Sequence, residues 1–157
     1  MGHFLGHTYR EADQKVTKGE KFGFCYRPDH SPKSGDGTSL AVEQSLDGRF
    51  IVVGSEDGFL IVWEAETGFP VGRKEPKKRH TASVVHIAIS PDSKWVVSSC
   101  LNNILKLWDI TTGLEVASLK ITSDVQHMKF TSDSKHLVVN SGDHNTRMLV
   151  FRLYPGQ

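Results

Sequence analysis

Trp63 and Trp108 stand 45 residues apart, and each closes the same succession of a Ser-x-Asp turn, an apolar strand, a polar turn and a second apolar strand. The first copy runs from Ser45-Leu46-Asp47-Gly48 through Phe50–Val53 and Glu56-Asp57-Gly58 to Leu60-Ile61-Val62-Trp63-Glu64 and Thr67-Gly68. The second runs without a gap from Ser90-Pro91-Asp92-Ser93 through Trp95–Val97 and Asn102-Asn103 to Leu105-Lys106-Leu107-Trp108-Asp109 and Thr112-Gly113. A third copy follows in Thr131-Ser132-Asp133-Ser134, His136–Val139, Gly142-Asp143 and Met148–Arg152, with Phe151 in the Trp place and two extra residues in its second turn. Short apolar runs bounded by polar turns read as strands joined by hairpins, so the expectation is an all-β, antiparallel chain. Eleven strands are expected, near 40–45, 50–54, 59–63, 69–73, 84–89, 95–99, 104–108, 114–119, 125–130, 136–139 and 147–153.

A period of roughly 40 to 45 residues with one Trp-Asp-like end per unit is the signature of one four-stranded blade per repeat. From about Gly35 to Tyr154 the chain resembles the WD40-repeat β-propeller family. The resemblance implies about three four-stranded blades, at 35–79, 80–120 and 121–154, behind a polar leader at 1–34. It is fullest in the second copy, where His80-Thr81-Ala82-Ser83-Val84 and Val85–Asp92 match a His-led loop, an inner strand and an S-P-D turn. In that family a His, a Ser or Thr, a turn Asp and the Trp form a hydrogen-bonded tetrad. The matching residues here are His80, Ser98, Asn102 and Trp108. A buried indole N–H needs an acceptor, and such a network supplies one. Asn102 carries no charge, so it should orient the imidazole while polarising it less. The first copy has Gly35 and Val53 at the His and Ser positions, and the third has Ile121 and Phe151 at the His and Trp positions. Those two blades are expected to rely on apolar packing.

Propellers have four to eight blades, so three repeats in 157 residues make an incomplete ring. The chain is therefore expected to be a C-terminal or truncated part of a larger propeller. Repeat units shield their apolar flanks by leaning on neighbours, and an open stack leaves two faces for missing blades or for self-association. The third copy ends without an outer strand of its own, and Phe22–Arg27, where aromatics alternate with small or polar residues, is a candidate latch strand. A short helix is expected over Arg10–Val16, and 28–38 is a loop by composition.

With 19 basic and 18 acidic residues, the net charge of +1 gives no footprint for nucleic acid or an anionic membrane. No run approaches a membrane span or a secretory signal. Cys25 and Cys100 read as reduced thiols, so the expected setting is intracellular, cytoplasmic or nuclear. His80, Ser98 and a turn acid are the residue types of a hydrolase triad, but in this family they are structural. His3 and His7 have tight spacing without further ligands, so no metal and no cofactor are expected. His86 and His127 hold matching places in two inner strands and read as channel-facing polar residues.

The resemblance implies a non-catalytic scaffold that binds other proteins through loops on one face of the propeller. Two segments depart most from the minimal repeat: the basic connection Arg73–His80, and the enlarged turn Asp143–Arg147. From these come the candidate partner-binding residues Lys77, Lys78, Arg79, His144, Asn145 and Arg147. The basic run also reads as a solvated loop or as a nuclear-import signal. Trp108-Asp109-Ile110-Thr111 lacks the basic residue that marks substrate receptors of cullin ligases, and no Phe-Arg-Arg-Gly run of phosphoinositide-binding propellers occurs. A regulatory or targeting subunit of an enzyme complex, such as a ubiquitin ligase or RNA-processing assembly, and a gene fragment without independent function remain as alternatives.

Overall fold

The computed structural model describes residues 9–11, 26–28, 39–68, 70–71, 80–142 and 147–154. Twelve strands are described among them: β1 Tyr9–Glu11, β2 Tyr26–Pro28, β3 Ser39–Gln44, β4 Phe50–Ser55, β5 Leu60–Glu64, β6 Val84–Ile89, β7 Trp95–Cys100, β8 Ile104–Asp109, β9 Glu115–Lys120, β10 Val125–Phe130, β11 His136–Ser141 and β12 Arg147–Arg152. They form sheets ordered β1-β2, β3-β4-β5, β6-β7-β8-β9 and β10-β11-β12, every pairing antiparallel. The last three sheets are the three repeats, and each is built by successive hairpins.

The same hydrogen bonds turn the chain in all three copies. Ser45 Oγ donates to Asp47 Oδ1 at 2.7 Å and accepts the Phe50 amide at 2.9 Å, while Asp47 Oδ1 accepts the Arg49 amide at 3.0 Å. Ser90, Asp92, Lys94 and Trp95 repeat this at 2.6, 3.1 and 2.9 Å, and Thr131, Asp133, Lys135 and His136 at 2.5, 3.0 and 3.1 Å. A short hydroxyl and a short carboxylate thereby take up the amides that a tight turn leaves unpaired. Gly48, Ser93 and Ser134, each one residue after the Asp, adopt left-handed φ values of 75°, 59° and 59°. The Ser45 hydroxyl and then the Arg49 amide hold the Asp47 carboxyl far below its ordinary range; the Thr131 hydroxyl and the Lys135 amide lower Asp133 in the same way.

Each inner strand also carries a register shift at the same place, between Ser39 and Ala41, Val84 and His86, and Val125 and His127. Past that bulge, alternate side chains face opposite flanks of the blade. The consequence is two apolar seams. Phe50, Val52, Leu60 and Val62 of the first blade meet Val84, Ile87, Val96, Trp108 and Ile110 of the second. Ala88, Val97 and Leu105 of the second meet Val125, Phe130, Leu137 and Val139 of the third, with Ile121 at the crossover. Neighbours Val96 and Val97 thus serve different seams, and both are buried. Burying each such side chain contributes about 1.5–3 kcal/mol. Gly54 sits where a Cβ would lie 2.5 Å from Val84 Cγ1, so the first seam closes over bare backbone.

Among the described residues only the second blade has four strands. In the first, Pro70 makes an isolated bridge to Trp63, and most of the expected strand 69–73 lies outside the described residues. The third ends as expected, with β12 pairing with β11 alone among the described residues. The leader differs from expectation. Arg10 and Glu11 lie in a strand where a helix was expected, because β1 pairs with β2 in a separate ladder of three residue pairs. Of the latch candidate, Tyr26 and Arg27 belong to that ladder and 22–25 lie outside the described residues.

Candidate functional site

Strands β7 and β8 place Ser98 and Trp108 side by side, and the loop before β6 lays His80 over them. Trp108 Nε1–H donates to Ser98 Oγ at 2.8 Å, and Ser98 Oγ lies 2.6 Å from His80 Nε2. The two rings meet edge to face, 6.2 Å apart at 64°. All three side chains are buried. Burial first, and then the nearby Lys106 ammonium, lower the His80 pKa to about 4, with Glu115 opposing. Lys106 Nζ itself is 2.8 Å from Glu115 Oε2 and lies 5.8 Å from the Trp108 ring centroid.

The fourth expected member stands apart. Asn102 Nδ2 donates to Thr81 Oγ1 at 3.2 Å on the exposed side of the turn, and His80 Nδ1 has no partner among the described residues. A neutral amide brings donors that a carboxylate lacks, so the turn hydroxyl satisfies it better than the imidazole N–H does. His80 is instead fixed by its backbone, whose amide donates to Gly58 O at 2.9 Å across the first seam. Gly58 has φ +86°, and a Cβ there would sit 2.4 Å from the His80 carbonyl oxygen. Ser98, fully buried and bridged between indole and imidazole, has a structural geometry: its hydroxyl meets no solvent from which a substrate could arrive.

The third blade compensates in a way the repeat pattern did not signal. Ser123 Oγ lies 2.6 Å from Ser141 Oγ, which also donates to Ser123 O at 3.2 Å, while Ile121 is buried as an apolar side chain. Ser141 takes the place of Cys100, 41 residues earlier, and that substitution was the available clue. His86, expected to face a channel, has its Nε2 2.9 Å from Val125 O and ties inner strand to inner strand. At the outer turns Asp92 N donates to Ser134 Oγ at 3.0 Å.

One face collects the turns between the second and third strands and the loops entering each blade. Ser83 Oγ donates to Glu56 O at 2.8 Å, which links the first turn to the second blade. Leu101 projects from the next turn, 63% exposed, beside the exposed Asn102. Arg147 is exposed at the start of β12, opposite Ser141. Lys77, Lys78, Arg79, His144 and Asn145 lie outside the described residues, as do Cys25, His3 and His7. Among the described residues no group of three or more His, Cys, Asp or Glu is placed to hold a metal ion, and no helix is long and apolar enough to cross a membrane.

The family described as WD domain, G-beta repeat matches residues 34–64 and 74–109, within the first two repeats. These two segments are WD40 repeats, and the fold is that of WD40-type β-propeller blades in an incomplete ring. Among curated relatives, it is 38% identical over 66 residues to the Notchless protein homolog of Arabidopsis thaliana, a match covering 40% of this chain and 13% of that protein. It is 32% identical over 73 residues to echinoderm microtubule-associated protein-like 4 of Homo sapiens, covering 46% and 7%. WD repeat-containing protein 1 of Mus musculus is 29% identical over 84 residues, covering 54% and 14%. The chain therefore spans only a small part of the relatives it matches. Its fold is similar to the β-propeller domain of Cps50 (Swd1) from Myceliophteria thermophila, with a TM-score of 0.61 at 16% identity over 76% of this chain and 40% of that one. A chain of a Mitotic Checkpoint Complex structure gives 0.63 at 20% identity over 74% and 37%.

Proposed function

We propose that the chain is a non-catalytic protein-interaction scaffold, in which stacked blades hold a rigid face of loops against partner proteins. The observation that carries this reading is the stitching of that face. His80 N to Gly58 O and Ser83 Oγ to Glu56 O fix adjacent turns to each other, and Leu101 N donates to Ser83 O at 3.0 Å, so Leu101 is presented from a loop edge with little freedom to lose on binding. An exposed leucine on a stitched turn of the second blade, with Arg147 exposed at the start of β12 on the third, has the make-up of a small contact centre with a polar rim. The basic residues Lys77, Lys78 and Arg79 and the turn residues His144 and Asn145 extend the proposed contact set. The family relationship supports the reading, as does the presence of a similar fold in a chain of a multi-protein complex.

Affinity capture with the intact chain tests it. Partners held by the native face should be lost together on Leu101→Asp, and weakened by charge reversal at Lys78 or Arg147, while circular dichroism remains unchanged. Capture that is indifferent to all three substitutions would refute a role for this face.

A further inference from the structure

The turn between β4 and β5, the segment entering β6 and the turn between β7 and β8 lie side by side on the loop face. A Cβ at Gly58 would stand 2.4 Å from the His80 carbonyl oxygen and 3.0 Å from that of Ala82, so the first turn rests directly on the segment. Ser83 joins both turns: its hydroxyl donates to Glu56 O at 2.8 Å, and its carbonyl accepts the Leu101 amide at 3.0 Å. With His80 held neutral by burial, the charged side chains within 55–58, 80–83 and 100–103 are Glu56 and Asp57, both acidic. Leu101 is the large apolar side chain exposed there.

Asp57 differs from its counterpart in the next copy. The 45-residue offset aligns it with Asn102, whose amide is taken up by Thr81 Oγ1 at 3.2 Å. The same offset places Gly35 and Asp36 where the second copy has His80 and Thr81, and neither offers a side-chain donor at neutral pH. Half-buried Asp57 accordingly makes no side-chain hydrogen bond or ion pair among the described residues. Its carboxylate is held on a stitched turn, and a cation is the group that complements it. An acidic segment would meet like charge there. A purely apolar one would strip water from the carboxylate and give nothing back. Two backbone steps across 80–83, at about 4.8 Å each, set the turns roughly 10 Å apart, a span of about three residues of extended chain.

We propose that Asp57 and Leu101 form a two-point docking site for an extended protein segment that carries Lys or Arg three residues from an aliphatic side chain, with the cation on Asp57 and the aliphatic group over Leu101. The site rests on the loop-face reading and deepens it, because it names the chemistry of the partner.

The test selects a display library of random peptides, about twelve residues long so that they span the site, on the full chain, and discards every sequence that Leu101→Asp also retains. The survivors should share Lys or Arg three places from Leu, Ile, Val or Met. In fluorescence anisotropy the best of them should bind at least tenfold more weakly to Asp57→Asn, and more weakly as salt rises. Replacing its cation by Gln should weaken binding to the native chain by the same factor and binding to Asp57→Asn no further, since both changes remove one contact. No survivors, survivors without a shared cation, losses that simply add, or insensitivity to Asp57→Asn would overturn the proposal. The loop-face reading is judged apart, by whether Leu101→Asp releases captured partners.

Discussion

Replacing Ser98 with alanine removes the one hydroxyl that two buried groups share. The Trp108 indole N–H loses the acceptor it holds at 2.8 Å, and His80 Nε2 loses its contact at 2.6 Å. Each lost hydrogen bond at a buried group costs about 1–3 kcal/mol, so Ser98→Ala should destabilise the fold by about 2–6 kcal/mol, a large part of a domain's stability. The cost must depend on the indole. Trp108→Phe deletes the N–H that Ser98→Ala strands, so the two changes together should cost about 1–2 kcal/mol less than their sum. Urea unfolding of the four proteins of this cycle, followed by circular dichroism, measures both quantities. Ser118→Ala, on the exposed strand β9, is the control and should stay within about 0.5 kcal/mol. A Ser98→Ala cost below about 0.5 kcal/mol, or simple additivity with Trp108→Phe, would refute the network as a unit.

Further outcomes follow from the same geometry. His80 stays neutral in the folded state down to about pH 4, whereas its unfolded value is 6.5. Because the unfolded chain binds the proton first, stability should be full above pH 6.5 and fall as pH drops toward 4, by up to about 3 kcal/mol. His80→Gln should flatten that part of the profile measured by urea titration. Below it, the lowered carboxyls of Asp47, Asp109 and Asp133 add a second loss as they protonate. Gly58→Ala should cost more than about 2 kcal/mol in thermal unfolding, since it meets both a left-handed φ and the His80 carbonyl. Gly48→Ser should cost about 1 kcal/mol or less, because Ser93 and Ser134 already hold that conformation in the other copies. Trp108→Ala should cost about 3–5 kcal/mol, and Lys78→Ala almost nothing.

The repeat was legible because its turns obey a local rule: hydroxyl, one residue, carboxylate, two residues, then an apolar strand. That rule needs no knowledge of the rest of the fold, and Ser45–Phe50, Ser90–Trp95 and Thr131–His136 carry it out alike. Three of the four tetrad residues were legible for the same reason, since an indole N–H in a strand needs an acceptor close by. Asn102 was not, because its amide brings N–H donors that suit the Thr81 hydroxyl, a choice that its alignment with a turn Asp does not reveal. The Ser123–Ser141 pair escaped notice because it replaces the network at a neighbouring register position. The leader shows the limit of periodicity, since Arg10 and Glu11 fit a helix pattern yet pair as a strand with residues some sixteen positions on.

The central claim is that sequential sheets stand side by side and share two separate apolar seams. Nuclear Overhauser contacts between selectively labelled methyl groups test it most directly. Val96 should contact Val52 and Val62, while its neighbour Val97 should contact Val139 and Leu137, with no cross-talk between the two sets. Finding Val96 and Val97 in contact with one common set of methyls would contradict it.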